Sequence, residues 1–344
     1  MVVCWKQQGG PAAEPPRAAQ SRTVVNEMSR KVFKYIYGPV PSRRLGRSLG
    51  LDLVPFKTCS YDCIYCQLGK TTHKTVERRQ YVDTAELLAE LEEKLAGGVL
   101  CDYISFAGSG EPTLYAPLGE LITSIREMTS IPIAVITNGS LLHLPHVRRD
   151  LASADLVIPS LDAGDRPMFE YVNRPHPDIS FEQMVEGLIE FGKMRKNELW
   201  LEVLLVSGVT GLAAEAKKIA SWAEKIRPDK IQINTVSRPA LEDFACAVDA
   251  KQLKKLAGLF PGRIEILEDA SGPTDTDAPL PGATEADILN LLARRPTTLR
   301  GIAQGLSIHP HEAAKRLETL LKAGRVGTEK SGRTVFYKLS KVGA

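Results

Sequence analysis

No apolar run in this chain approaches the roughly 18 residues needed to span a bilayer, and the N-terminus lacks a basic segment followed by an apolar one. A cytoplasmic protein with no membrane partner is therefore expected. Cysteine is scarce, six in 344 residues, which excludes a disulfide scaffold. Cys4, Cys101 and Cys246 lie far apart and read as free thiols, the latter two as core residues. With 43% apolar and 25% charged residues the chain can bury a large core, with length for about two domains.

Residues 1–28 are rich in Pro, Ala, Gly and Gln without helical or strand period, which predicts a disordered tail and makes Met28 a second candidate start. From Leu49 onward, apolar runs at 49–54, 103–107, 131–136, 156–159, 199–206 and 230–235 alternate with amphipathic stretches. This pattern predicts six parallel βα units over residues 29–267. Asp83 and Thr84 can cap one helix, and Ser180 with Gln183 has the spacing of a capping box for another.

The three remaining cysteines stand as Cys59-Ser-Tyr-Asp-Cys63-Ile-Tyr-Cys66 just after the first apolar run. Three thiolates at this spacing can bind three irons of a [4Fe-4S] cluster and leave the fourth open to a small molecule. A zinc site would want a fourth ligand close by, for which His73 is the nearby candidate. The spacing, with Tyr65 before the third cysteine, resembles the radical S-adenosylmethionine (SAM) superfamily. That resemblance implies an open partial (βα)6 barrel, an α/β fold whose site lies at the C-terminal strand ends.

It also implies roles for residues at those ends. Gly108-Ser109-Gly110-Glu111-Pro112 resembles the family's Gly-Gly-Glu-Pro element, which binds the amino group of SAM, with Ser109 replacing a glycine and Gly110 and Glu111 kept. Asn138 in Thr137-Asn138-Gly139, and Ser160 and Asp162 in Ser160-Leu161-Asp162, resemble the next two elements; the last would bond the ribose or carboxylate of SAM. Tyr65 either shields the cluster or lies against the adenine. Arg174 in Asn173-Arg174-Pro175 either meets the SAM carboxylate or forms a surface ion pair, and Glu202 and Asn234 either point into the barrel as site residues or, for Glu202, pair with a barrel cation. The activity implied is reductive cleavage of SAM, with an electron from a low-potential donor, flavodoxin or ferredoxin, giving a 5'-deoxyadenosyl radical that abstracts hydrogen from a substrate.

Upstream, Gly38 to Arg47 holds Arg43, Arg44 and Arg47, which either grip an anionic substrate or form salt bridges with barrel carboxylates. Together with the cysteine loop this wording is similar to a subgroup grouped with wyosine-type tRNA-modifying synthetases. Those synthetases carry extra N-terminal cysteines for a second cluster, and this chain has Cys4 alone there.

Residues 268–283 are acidic and Pro/Gly-rich, a linker pattern. Residues 284–344 read as three helices and a two-stranded wing, resembling a winged helix-turn-helix domain. They carry 11 Lys+Arg against 5 Asp+Glu, a net of +6, leaving −3 on the other 283 residues. Lys315, Arg316, Lys330 and Arg333 are the candidate contacts to tRNA or other nucleic acid, with a peptide partner or a structural role as alternatives. Three readings of the whole follow: a radical SAM enzyme acting on RNA, a peptide-modifying enzyme of that class, or an iron-sulfur redox-sensing regulator. No cluster or SAM-element residue lies beyond Asn234, so the barrel is expected to cleave SAM without the C-terminal segment.

Overall fold

In the computed structural model, alternation of side chains along several of the strands decides which way the sheet faces. The structure describes residues 33–267, 284–294, 296–306, 308–331 and 334–340. The expected tail 1–28 with Cys4, the linker 268–283 and Arg333 lie outside the described residues.

Ile36–Ser42 (β1) and Gly46–Leu51 (β2) form an antiparallel ribbon. Two short strands, Thr58–Cys59 (β3) and His73–Lys74 (β4), pair in parallel across the cysteine loop. The chain then alternates helices with Tyr103–Phe106 (β5), Ile133–Thr137 (β6), Leu156–Pro159 (β7), Glu198–Leu205 (β8), Lys230–Thr235 (β9) and Ile264–Ile266 (β10). An eight-stranded sheet results, ordered β1-β2-β5-β6-β7-β8-β9-β10, parallel throughout except for β1 against β2. Its six central strands are those expected from the sequence. The two end strands were missed because β1 carries Pro39 and Pro41, tolerated at a sheet edge, and β10 is only three residues long.

The helices are Thr84–Ala96 (α1), Leu118–Met128 (α2), Pro145–Leu151 (α3), Arg166–Val172 (α4), Phe181–Met194 (α5), Ala213–Ile226 (α6) and Ala250–Ala257 (α7). Asp83 accepts from Glu86 N to cap α1, and Ser180 and Gln183 close both halves of the predicted capping box on α5. Ile104 and Phe106, Val203 and Leu205, and Ile231 and Ile233 join helix residues such as Leu121, Leu188 and Ile219 in one buried core. Residues between them on the same strands, Ser105, Glu202, Leu204 and Asn234, line a cavity instead. The period-2 geometry of a strand thus puts fat on the helical face and polar groups on the inner face. Cys101 is half-buried, whereas Cys246, expected in the core, is exposed on the loop after β9.

Three further helices follow, Glu285–Arg294 (α8), Leu299–Gly305 (α9) and Pro310–Lys322 (α10), then an antiparallel pair Val326–Ser331 (β11) and Thr334–Leu339 (β12). Thr298 and His309 cap α9 and α10, and Thr297 exchanges backbone bonds with Tyr337 of β12 at 3.0 and 2.8 Å. Ile288, Leu292, Ile302, Leu317 and Leu320 give this segment its own core, against which Val40 of β1 also packs. Helices α8 and α9 lie against β1. No helix among the described residues is long and apolar enough to cross a membrane.

Phe106 sits fully buried in the middle of the sheet. Truncation at Phe106→Ala removes its contacts and leaves a cavity, and should cost about 3–5 kcal/mol, read as a lower midpoint of urea unfolding with an unchanged slope.

Candidate active site

Two backbone bonds weld the cysteine loop to the end of β5. Lys57 N donates to Ser109 O at 2.6 Å and Glu111 N to Thr58 O at 3.1 Å. Gly110 lies so close to this seam that a Cβ there would fall 1.9 Å from Thr58 O, so no other residue fits. Cys66 N donates to Cys63 O at 3.0 Å, turning the loop so that the thiols of Cys59 and Cys66 face the cavity. Cys63 sits behind them, its sulfur 3.5 Å from Asn173 Nδ2; Cys59 has Asn138 Nδ2 at 3.6 Å, and Lys57 Nζ reaches Cys66 Sγ at 3.1 Å. Burial pushes the Cys59 thiol up to about 12, with further upward pressure from Glu111, and pushes Cys63 well above the usual thiol range, reinforced by Cys66 and Cys59.

Glu111 is 2% exposed. Its Oε1 accepts from Thr113 N at 3.0 Å, Thr113 Oγ1 at 2.6 Å and Thr137 Oγ1 at 2.6 Å, and its Oε2 from Asn138 N at 2.7 Å. Burial raises its carboxyl despite these donors. One side chain therefore joins the ends of β5 and β6. Asn138 passes the connection on, donating from Nδ2 to Ser60 Oγ at 2.8 Å inside the cysteine loop.

A second buried carboxylate performs the same task two strands further on. Asp162 accepts from Leu204 N at 2.8 Å, from Asn173 Nδ2 at 3.3 Å and from the Tyr65 hydroxyl. Burial pushes it up to about 6. The Asn-Arg-Pro turn thus delivers its asparagine to the centre, a residue the sequence reading passed over. Arg174 has φ +45 and pairs with Glu242 at 2.5 Å, the ion-pair alternative, away from the cavity.

The cavity holds about 390 Å³ and brings together Cys59, Tyr65, Cys66, Gly110, Glu111, Asn138 and Ser160 of the expected set. Cys63 and Asp162 stand directly behind this lining, while His73 lies exposed on β4. Arg43 and Arg44 also line it, and Arg44 pairs with Glu202, itself bonded to Asn234 Nδ2 at 3.0 Å. Arg47 pairs with Asp102 at 3.2 Å. Salt bridges with barrel carboxylates, one of the two readings of these arginines, therefore account for Arg44 and Arg47. Lys57, Asp52, Leu291 and Arg294 were not anticipated: only Lys57 had a sequence signal, its place two residues before Cys59.

The donor set fits an iron-sulfur cluster. Three thiols share the loop, with a lysine and two amides placed to donate to their sulfurs. Residues 53–223 match the Radical SAM superfamily. Fold, thiol loop and this match identify a radical SAM domain, the mark of a class whose enzymes use a [4Fe-4S] cluster and SAM and draw an electron from an external donor. Within that class the chain belongs to the UPF0026 family, being 35% identical over 315 residues to the UPF0026 protein of Helicobacter pylori, across 90% of this chain and 99% of that one. It is also 40% identical over 328 residues to a Brachyspira hyodysenteriae protein named GTPase Obg, covering 95% of this chain but 48% of that protein, so this chain spans about half of that relative's length. The sequence has no Gly-x4-Gly-Lys-Ser/Thr loop of the kind that cradles GTP phosphates. The crystal structure of Streptococcus suis SuiB superposes with a TM-score of 0.48 at 15% identity, over 63% of this chain and 49% of that one.

The raised Asp162 carboxyl has a stability consequence in the iron-free protein. Its proton is held more tightly folded than unfolded, so this contribution is complete below about pH 4 and is lost as pH rises through 6. The loss amounts to about 3 kcal/mol at most. Asp162→Asn stays uncharged throughout, so the stability difference between variant and parent should change between pH 4 and 7 in the variant's favour, as followed by urea unfolding.

Proposed function

We propose that this protein is a radical SAM enzyme that modifies an RNA substrate, tRNA being the first candidate, with flavodoxin or ferredoxin as electron donor. The observation that carries the first half is the opening of Cys59 and Cys66 onto a cavity whose rim is fixed by the buried carboxylates Glu111 and Asp162. In this reading Cys59, Cys63 and Cys66 hold the cluster, and Tyr65, Gly110, Glu111, Asn138, Ser160 and Asp162 surround SAM. Arg174 would meet the SAM carboxylate only by exchanging Glu242 for it. With cluster and SAM bound, one-electron cleavage of the sulfonium supplies a 5'-deoxyadenosyl radical for hydrogen abstraction. The chain's own part is to orient and donate: Lys57, Asn138 and Asn173 place donors at the three sulfurs.

The RNA half rests on residues 284–344, which we read as a winged helix-turn-helix domain separated from a barrel domain, 29–267, by the linker 268–283. Three capped helices, the antiparallel pair and the Thr297 bridge suit that reading, as does the net charge of +6. Lys315 and Lys330 are exposed, whereas Arg316 is paired with Glu312 at 2.8 Å.

Anaerobically purified protein should be brown, with about four irons and four sulfides. Cys59→Ala, Cys63→Ala and Cys66→Ala should lose the colour, and Cys101→Ala should keep it. With dithionite and SAM the parent should release 5'-deoxyadenosine. Glu111→Gln and Asp162→Asn should retain iron yet bind SAM at least tenfold more weakly, about 1.4 kcal/mol; unchanged affinity in both would sink the placement of SAM. The iron-sensor reading requires no SAM cleavage at all.

The RNA reading has its own measurement. Full-length protein should bind tRNA with an affinity that falls steeply between 50 and 200 mM salt, through counterion release. The double variant Lys315→Gln, Lys330→Gln should flatten that slope. Binding indifferent to salt and to both lysines would leave a peptide as the leading substrate class.

A further inference from the structure

Arg294, the last residue of α8, reaches across from the C-terminal segment into the barrel. Its Nε lies 3.1 Å from Asp52 Oδ2, in a pair only 14% and 11% exposed, and its guanidinium covers the ring of Tyr37 at 5.0 Å. Asp52 Oδ1 in turn accepts the backbone N–H of Ser109 at 2.9 Å. Two residues 242 positions apart are thereby connected to the loop that carries Gly110 and Glu111.

The barrel side is cut to receive this arrangement. Gly50 backs onto Tyr37 so closely that a Cβ would fall 2.0 Å from the ring, and at Gly108, with φ +117, a Cβ would fall 2.4 Å from Asp52 Oδ1. Leu291 and Arg294 also line the same cavity as Cys59, Cys66 and Glu111. The cavity wall is therefore incomplete without the C-terminal helices.

We infer that α8 is part of the SAM and substrate site, and that Arg294 is a positioning residue which holds the Gly108–Pro112 loop through Asp52. The inference rests on the reading of that loop as a SAM contact, and it reverses the expectation that a barrel ending before the linker would cleave SAM normally. The physical reason lies in Asp52. Burial works against its charge and Arg294 favours it. Without the guanidinium the carboxylate must take up a proton or turn to water, and either change weakens its hold on Ser109 N–H. Lys57 N donates to Ser109 O, and Glu111 N to Thr58 O, so a shift at Ser109 travels directly to the cysteine strand and to Glu111.

The test uses full-length protein carrying Arg294→Ala, Arg294→Lys, Asp52→Asn, or Arg294→Ala with Asp52→Asn, each with iron content and melting temperature recorded. Hydrogen exchange of the iron-free protein reports on the loop without SAM: peptides spanning 107–114 should exchange at least threefold faster in Arg294→Ala and Asp52→Asn, with the double variant no faster than either, and Arg294→Lys should recover part of the protection. SAM affinity of the cluster-loaded protein should fall about tenfold in the same variants at unchanged iron content. Asp52→Asn, nearly isosteric, keeps the test decisive if Arg294→Ala folds poorly. Faster exchange confined to α8 and β1, or additive effects in the double variant, would reduce the pair to a domain contact and overturn the inference. Faster exchange at 107–114 with unchanged SAM affinity would uphold the positioning by Arg294 and instead refute the loop as a SAM contact.

Discussion

The carboxylate of Glu111 is the joint on which the catalytic end of the sheet depends. A buried carboxylate is costly unless donors surround it, and here Thr113, Thr137 and Asn138 supply four hydrogen bonds from two successive strand ends. The arrangement makes the loops after β5 and β6 one body, and the Thr58 carbonyl adds the cysteine loop to it. Asp162 repeats the device by tying Tyr65 and Asn173 to β8. Loops that would otherwise be the mobile part of a βα sheet become rigid enough to hold three thiols in a fixed relation.

The same interactions explain the state of the thiols. Crowded together and withdrawn from water, Cys59 and Cys63 keep their protons in the metal-free protein. Coordination must release those protons, so affinity for the metal is coupled to their loss. Lys57, buried with φ +59 and its ammonium against Cys66, is placed to offset the negative charge that then appears. Asn138 and Asn173 add neutral donors at the other two sulfurs, a shell that tunes a cluster without competing for it.

Charge distribution separates the two parts of the chain while one ion pair joins them. The segment from Thr284 onward holds the excess of basic residues, but Arg294 is spent inward on Asp52. A pair this well covered is worth more as a constraint on position than as a source of net stability, because desolvation of both ions offsets much of their attraction. Its place beside the cavity makes that constraint functional.

The order of the six central strands and the choice of Cys59, Cys63 and Cys66 as candidate cluster ligands were legible in the sequence alone, because both rest on local properties. Apolar periodicity over a few residues decides strand against helix, and Cys59, Cys63 and Cys66 share one loop, so their spacing is their geometry. The capping residues Asp83 and Ser180 were legible for the same reason. What tertiary structure decided involves partners distant along the chain: Arg44 with Glu202, Asp52 with Arg294, Arg174 with Glu242 rather than the cavity, and Asn173 with Cys63 and Tyr65. An arginine's reach is long and its choice among carboxylates depends on which strands become neighbours, which no local pattern encodes. Edge strand β1, interrupted by prolines, escaped notice because its pairing with β2, and its role as the seat of the C-terminal helices, exist only once the sheet has formed.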